Sequence, residues 1–206
     1  MSPDVSNPAA RDITYDELYE AYCEQIGALI EGGVDAILIE TVFDTLNAKA
    51  AIDASLAEMD KVGKKLPVMI SMTVSDMAGR TLSGQTIEAF VATISAYPVF
   101  SVGLNCSFGP DKMKPFLREM ARCSHLYVSA YPNAGLPNSM GQYDVGPEEL
   151  ASQMLDIVKE GLVNIVGGCC GTTDRHIRKL AEIVKDASPH VPSPKSGNMK
   201  LAGLEQ

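Results

Sequence analysis

Residues 163–175 read VNIVGGCCGTTDR, and the fold class hangs on how this stretch is built. The apolar run Val163 to Val166, set between turn signals, predicts a buried strand. Gly167 and Gly168 end it, Cys169 and Cys170 follow, and after Gly171 the run Thr172-Thr173-Asp174 predicts a helix N-terminus. The two cysteines thus sit where a strand hands over to a helix, the end at which α/β folds bind ligands. A bridge between adjacent cysteines would strain the peptide between them. Two thiols framed by glycines, which allow close backbone approach, look more like metal ligands than packing. A metal would need at least one ligand more.

Upstream, the same strand-then-helix unit repeats. Residues 1–13 are polar, carry Pro3 and Pro8, and predict a leading loop. Thr14 with Glu17 forms a capping-box pattern, and Leu18, Tyr22, Ile26, Leu29 and Ile30 recur at helical spacing up to Gly32-Gly33. Residues 35–40 (DAILIE) predict a strand that ends on the carboxylate of Glu40, and residues 46–62 an alanine-rich helix. Further strands are expected at 67–72, 100–104 and 126–130, and further helices at 86–96, 111–122, 147–161 and 174–185. Residues 73–84 form a long polar loop, and residues 131–144 (YPNAGLPNSMGQYD) are too long for a simple connector. After residue 188 the chain is proline-rich and predicts a linker over 189–206.

Strands spaced by about 30 residues and alternating with helices predict a parallel sheet. Five strands fall short of the eight, in about 250 residues, of a closed (β/α)8 barrel. The choice lies between an open five-stranded sheet and the C-terminal part of a TIM-type barrel. Glu40, Asn105, Cys106, Asn133, Cys169 and Cys170 all fall at strand ends. Polar groups at the same end of most strands are a barrel pattern, whereas a doubly wound sheet concentrates its site at one switch point. The expectation is an incomplete barrel over residues 1–188.

Composition narrows the function. Apolar residues make up 46% and charged residues 21%, as in soluble globular proteins. A net charge of −9 argues against nucleic acid or an anionic membrane as partner. No apolar run approaches the roughly 18 residues of a membrane span, and the N-terminus lacks the basic and apolar regions of a secretory signal. Five cysteines, an odd number without small-domain disulfide spacing, point to a reducing, cytoplasmic compartment, where clustered thiols mean metal or catalysis.

Cys106 is the third ligand by position, since it follows its strand as Cys169 follows its own. Three thiolates around Zn²⁺ make a tetrahedral site with one open position, as in catalytic zinc sites. That position suits another soft donor such as a substrate thiol, which zinc would deprotonate near neutral pH. Thiolate ligands leave the site with excess negative charge and keep the bound sulfur nucleophilic, so the chemistry implied is alkyl transfer to sulfur. A redox dithiol is disfavoured, because C-x-x-C is absent.

The runs GLNCSFGPD, PNAGLPN and IVGGCCGTT, with ILIETVFDTLNAKAA from Ile37 and GRTLSGQT from Gly79, resemble the homocysteine-binding domain of the cobalamin-dependent methionine synthases. The similarity runs from residue 3 to the end. It implies zinc on Cys106, Cys169 and Cys170, the homocysteine amino group on Glu40, and Asn133 or a loop neighbour in the fourth zinc position before substrate arrives. It also implies methyl transfer from 5-methyltetrahydrofolate through cobalamin to homocysteine, with folate- and cobalamin-binding modules elsewhere in a larger enzyme. The family's domain begins with about three further βα units that this sequence lacks, so the resemblance implies a piece that is inactive alone and prone to pairing through its open sheet edges.

Plainer roles stand beside these. Glu40 would also serve as a helix N-terminal anion or the partner of a core arginine, and Asn105 as a turn former. Asp44 is expected to cap the following helix. Residues 79–84 are a lid or a connector. Cys23, Cys123, His125, His176 and His190 are read as structural, surface or packing residues.

Overall fold

The computed structural model describes residues 6, 7, 10–195 and 197–206. Pro3 and Pro8, read above as part of a leading loop, lie outside the described residues. The elements alternate: α1 (Tyr15–Glu31), β1 (Ile37–Val42), α2 (Thr45–Lys61), β2 (Val68–Met72), α3 (Ile87–Ile94), β3 (Ser101–Asn105), α4 (Pro110–Cys123), β4 (Tyr127–Tyr131), α5 (Pro147–Lys159), β5 (Ile165–Val166) and α6 (Asp174–Val184). The strands form one parallel sheet in the order β1-β2-β3-β4-β5. A sequential order contains no point at which the winding reverses, so the sheet follows the barrel pattern and not the doubly wound one. This matches the partial TIM-type barrel expected from the strand ends.

The chain divides into two compact units, Met1–Ser101 with Lys200–Gln206, and Val102–Met199. In the first, α1 starts on the expected capping box. Thr14 N–H donates to Glu17 Oε2 at 2.8 Å, and Glu17 N–H donates back to Thr14 Oγ1 at 3.3 Å. The helix turns Ile26 and Ile30 inward against α2, whose Ala48, Ala50, Ala51 and Ala54 are fully buried and let the elements approach closely. Asp44 caps α2, accepting from Leu46 N–H at 2.9 Å, and pairs with Arg11 at 2.9 Å.

Strand β1 pairs with β2 in register Ile37↔Val68, but the register shifts between Ile39 and Val42. The strand therefore carries a bulge, with Glu40 and Thr41 both facing solvent. This corrects the expected boundary. Glu40 lies inside the strand and not at its end, because pairing resumes at Val42↔Met72 and Thr73 N–H donates to Val42 O at 3.0 Å.

In the second unit β4 and β5 pair through Ser129↔Ile165 and Ala130↔Val166. β5 is shorter than the four residues expected, because Asn164 replaces part of the backbone ladder with its side chain. Its Oδ1 accepts from Val128 N–H at 2.9 Å, and its Nδ2 donates to His190 O at 2.7 Å. β3 approaches β4 closely at Gly103, where a Cβ would stand 1.9 Å from Ser129 Oγ and 2.4 Å from Ser129 O. Glycine is required there for that contact.

Candidate metal centre

Three loops of the second unit bring the cysteines together. The first leaves β3, where Asn105 is buried and Cys106 and Ser107 turn into the left-handed region at φ 60° and 62°. Two consecutive residues other than glycine in that region cost about 1–3 kcal/mol each and cluster at functional sites. Backbone bonds hold the turn: Cys106 N–H donates to Tyr131 O at 3.0 Å, and Phe108 N–H to Cys106 O at 2.7 Å. The effect is to re-aim one thiol across the strand ends.

The second loop leaves β4. Asn133 is buried and its Oδ1 accepts from Cys170 N–H at 3.0 Å, while Ala134 N–H donates to Cys170 O at 2.9 Å. The third is the GGCCG turn after β5. Cys169 N–H donates to Pro132 O at 2.8 Å, and Thr172 Oγ1 donates to Cys169 O at 2.7 Å. A Cβ on Gly168 would fall 2.4 Å from Thr172 Cγ2, so the turn closes only over glycine.

The sulfurs converge. Cys106 Sγ lies 2.9 Å from Cys169 Sγ and 3.5 Å from Cys170 Sγ, and the two adjacent sulfurs are 3.9 Å apart. These separations exceed the roughly 2.05 Å of a disulfide, and all three cysteines are free. Tetrahedral zinc, with Zn–S about 2.3 Å, holds its sulfurs about 3.8 Å apart. The longest contact already matches that spacing, and the shortest must open by under about 1 Å. Donor set and spacing therefore fit a zinc ion with one side open, since Cys170 is exposed while Cys106 and Cys169 are half-buried.

The thiols also shape one another's charge. Burial, and then hydrogen bonds to Cys169 and Cys170, push the Cys106 thiol up to about 12. The Cys170 thiol is drawn below its ordinary value, first by the hydrogen bond from Cys106 and also by Tyr143 and Cys169. Cysteines hold a metal as thiolates, so metal uptake by such a cluster would release protons.

One residue of this region escaped the sequence reading: Tyr143, whose ring packs over Gly171 beside the cysteine pair. His176, read as a surface or packing residue, is buried and structural. His176 Nδ1 accepts from Thr173 N–H at 3.1 Å, which leaves Nε2 to donate to Val145 O at 2.9 Å. The signal for Tyr143 was Gly171. A glycine directly after a ligand pair implies that something approaches its Cα, and Tyr143 is that group.

Glu40, on the bulge of β1 in the first unit, is exposed and forms no ion pair among the described residues. His125, His190, Cys23 and Cys123 take no part in the cysteine cluster. No helix among the described residues is long and apolar enough to cross a membrane.

A parallel β/α sheet with three soft donors gathered past its strand ends defines an α/β protein with a cluster that could hold a metal ion. Its family follows from comparison with known sequences. The profile of the homocysteine S-methyltransferases matches residues 1–184, and the chain belongs to that family. Two crystal structures of the homocysteine methyltransferase MmuM from Escherichia coli share its fold. The apo form superposes with a TM-score of 0.60 at 21% identity, over 83% of this chain and 57% of that one. The metallated form gives 0.56 at 23% identity, over 80% and 51%. The chain thus spans little more than half the length of these relatives.

Proposed function

We propose that this chain carries the homocysteine-activating site of a methionine synthase, holding zinc on Cys106, Cys169 and Cys170. The observation that carries the reading is the convergence of three free thiols, on loops after β3 and β5, within 3.9 Å of one another. Zinc bound there would supply the Lewis acidity that keeps a substrate sulfur in its thiolate form. The chain's own residues supply the rest. The strained turn at Cys106 aims one ligand, Asn133 fixes the backbone of Cys170, and the exposed side at Cys170 leaves room for a fourth donor.

The reaction proposed is methyl transfer from methylcobalamin to the homocysteine sulfur, giving methionine, in the cytoplasm and with 5-methyltetrahydrofolate as the original donor. Folate- and cobalamin-binding modules, with residues 189–206 as the link toward the first, belong to the same proposal. Methionine synthase is favoured over betaine- or S-methylmethionine-dependent relatives by the runs ETVFDTLNAKAA and PNAGLPN. The assignments of Glu40 to the substrate ammonium and of Asn133 to the fourth zinc position rest on the resemblance. An assay of the full-length polypeptide with homocysteine and each donor in turn tests the reading. Methionine formed from methylcobalamin, and not from betaine or S-methylmethionine, is the expected result; the reverse pattern overturns it. Glu40→Ala is expected to raise the homocysteine KM by about tenfold or more, as loss of a charged hydrogen-bonded pair implies.

A further inference from the structure

The loop after β2 and the last residues of the chain belong to the same unit, and they are bonded to each other. Residues 73–85 first close on themselves. Ser75 N–H donates to Arg80 O at 2.7 Å, and Asp76 Oδ1 accepts from Ala78 N–H at 2.9 Å and Arg80 N–H at 3.1 Å. Thr81, Ser83 and Gln85 are buried, with Thr81 Oγ1 donating to Gln85 Oε1 at 2.8 Å. Ser83 Oγ donates to Phe43 O at 2.7 Å, which ties the loop to the chain just past β1, the strand whose bulge carries Glu40.

The tail then grips this loop at three points. Leu204 O accepts from the N–H of Thr86, the N-cap of α3, at 2.9 Å. The Leu204 side chain packs on Gly84, where a Cβ would stand 3.6 Å from Leu204 Cδ2. Glu205 pairs with Arg80, whose Nη1 also donates to Gly84 O at 2.9 Å. Gly203 N–H donates to Glu205 O at 3.0 Å and turns the tail into this contact.

From these contacts we infer that Gly203–Glu205 form a clasp that locks the loop after β2 as a closed lid against the end of β1, and that withdrawing the clasp frees the lid. The loop follows the carboxyl end of its strand, where folds of this kind carry their sites. The clasp is weak by construction. Leu204 stays half exposed, and the Arg80–Glu205 pair lies at the surface, where an ion pair contributes little. Segments that open for function are drawn from this low-stability end of a structure. Every contact lies in the first unit, so the inference stands apart from the zinc reading.

The test is amide hydrogen exchange of the full chain, read residue by residue by NMR. Thr86 N–H reports the clasp, and the N–H groups of Ser83 and Gly84 report the lid. Leu204→Asp is expected to speed exchange about tenfold at Thr86 and several-fold at Ser83 and Gly84, leaving α2 unchanged. Glu205→Gln is expected to give a smaller rise, about threefold or less, that vanishes in high salt. Met199→Ala, exposed just ahead of the clasp, is expected to change none of them. A Leu204→Asp protein with unchanged exchange at Thr86 overturns the inference. So does a rise at Thr86 alone, which would make the tail a cap on α3 and no more, and so does a uniform rise that includes α2, which would mean a general loss of stability.

Discussion

Inside β1 and just past β3 the chain breaks the same backbone rule and uses the break differently. Thr41 sits at φ 61° beside Glu40, and Cys106 and Ser107 at 60° and 62° just past β3. At β1 the left-handed residue lies inside the strand, and pairing resumes at once, so the result is a bulge that turns a carboxylate to solvent. At β3 the strand stops, and the turn carries a thiol toward two others from a different loop. The bulge in β1 presents a single hard donor, whereas the turn after β3 joins a soft three-donor set. A metal centre needs several chain segments to converge, so its strain is braced by cross-loop hydrogen bonds.

The largest expected effect comes from disturbing the close approach that supports the β3 end. Gly103→Ala drives a methyl into Ser129 Oγ and backbone O. It is expected to lower stability by about 3 kcal/mol or more, the upper range for overpacking, and to weaken metal binding by displacing Cys106. Thermal melts and metal titration check both. A variant as stable as the parent would show that β3 and β4 tolerate more separation than the comparison assumes.

A smaller effect, of opposite sign, is expected from relieving the strain. Glycine at Thr41 or Ser107 removes the steric cost of the left-handed conformation but adds chain entropy to the unfolded state. Each substitution is expected to raise stability by up to about 1 kcal/mol in denaturant melts. A loss of more than that at Thr41, with a gain at Ser107, would show that the β1 bulge is held by the threonine side chain and not merely tolerated.

The smallest effect concerns ion pairs. In the first unit Asp44 is buried against Arg11. In the second, Glu160 lies at the surface, where Arg118 and then Lys114 hold its carboxyl down to about 2. Because its folded value lies below the ordinary 4.5, its stabilisation is present above about pH 4.5 and is lost as pH falls through about 2. Glu160→Gln is expected to flatten that part of the acid stability profile slightly, and less so in high salt, as for any exposed pair. A large or salt-independent change would mean that this clamp between α4 and α5 matters more than its exposure suggests.

Much of the cysteine cluster was legible because soft donors directly after apolar runs carry chemistry and position together. Cys106, Cys169 and Cys170 needed only the rule that strand ends in such folds face one site. The capping box of Thr14 with Glu17 and the Asp44 cap were legible for a similar local reason. The left-handed turns were not, since β-branched Thr41 opposes that conformation by its own preference and only tertiary contacts impose it. Nor was the shortness of β5, because Asn164 takes over backbone bonds through partners 26 and 36 residues away. Tyr143 was harder to see, because the only trace of its position was Gly171, against which its ring packs.

The central claim is that the three cysteines form one metal site, and zinc content per chain tests it most directly. Protein purified without chelator is expected to hold about one zinc, with Cys106→Ala holding almost none although Cys169 and Cys170 remain. Zinc absent from the parent, or retained in full by the variant, would contradict the account.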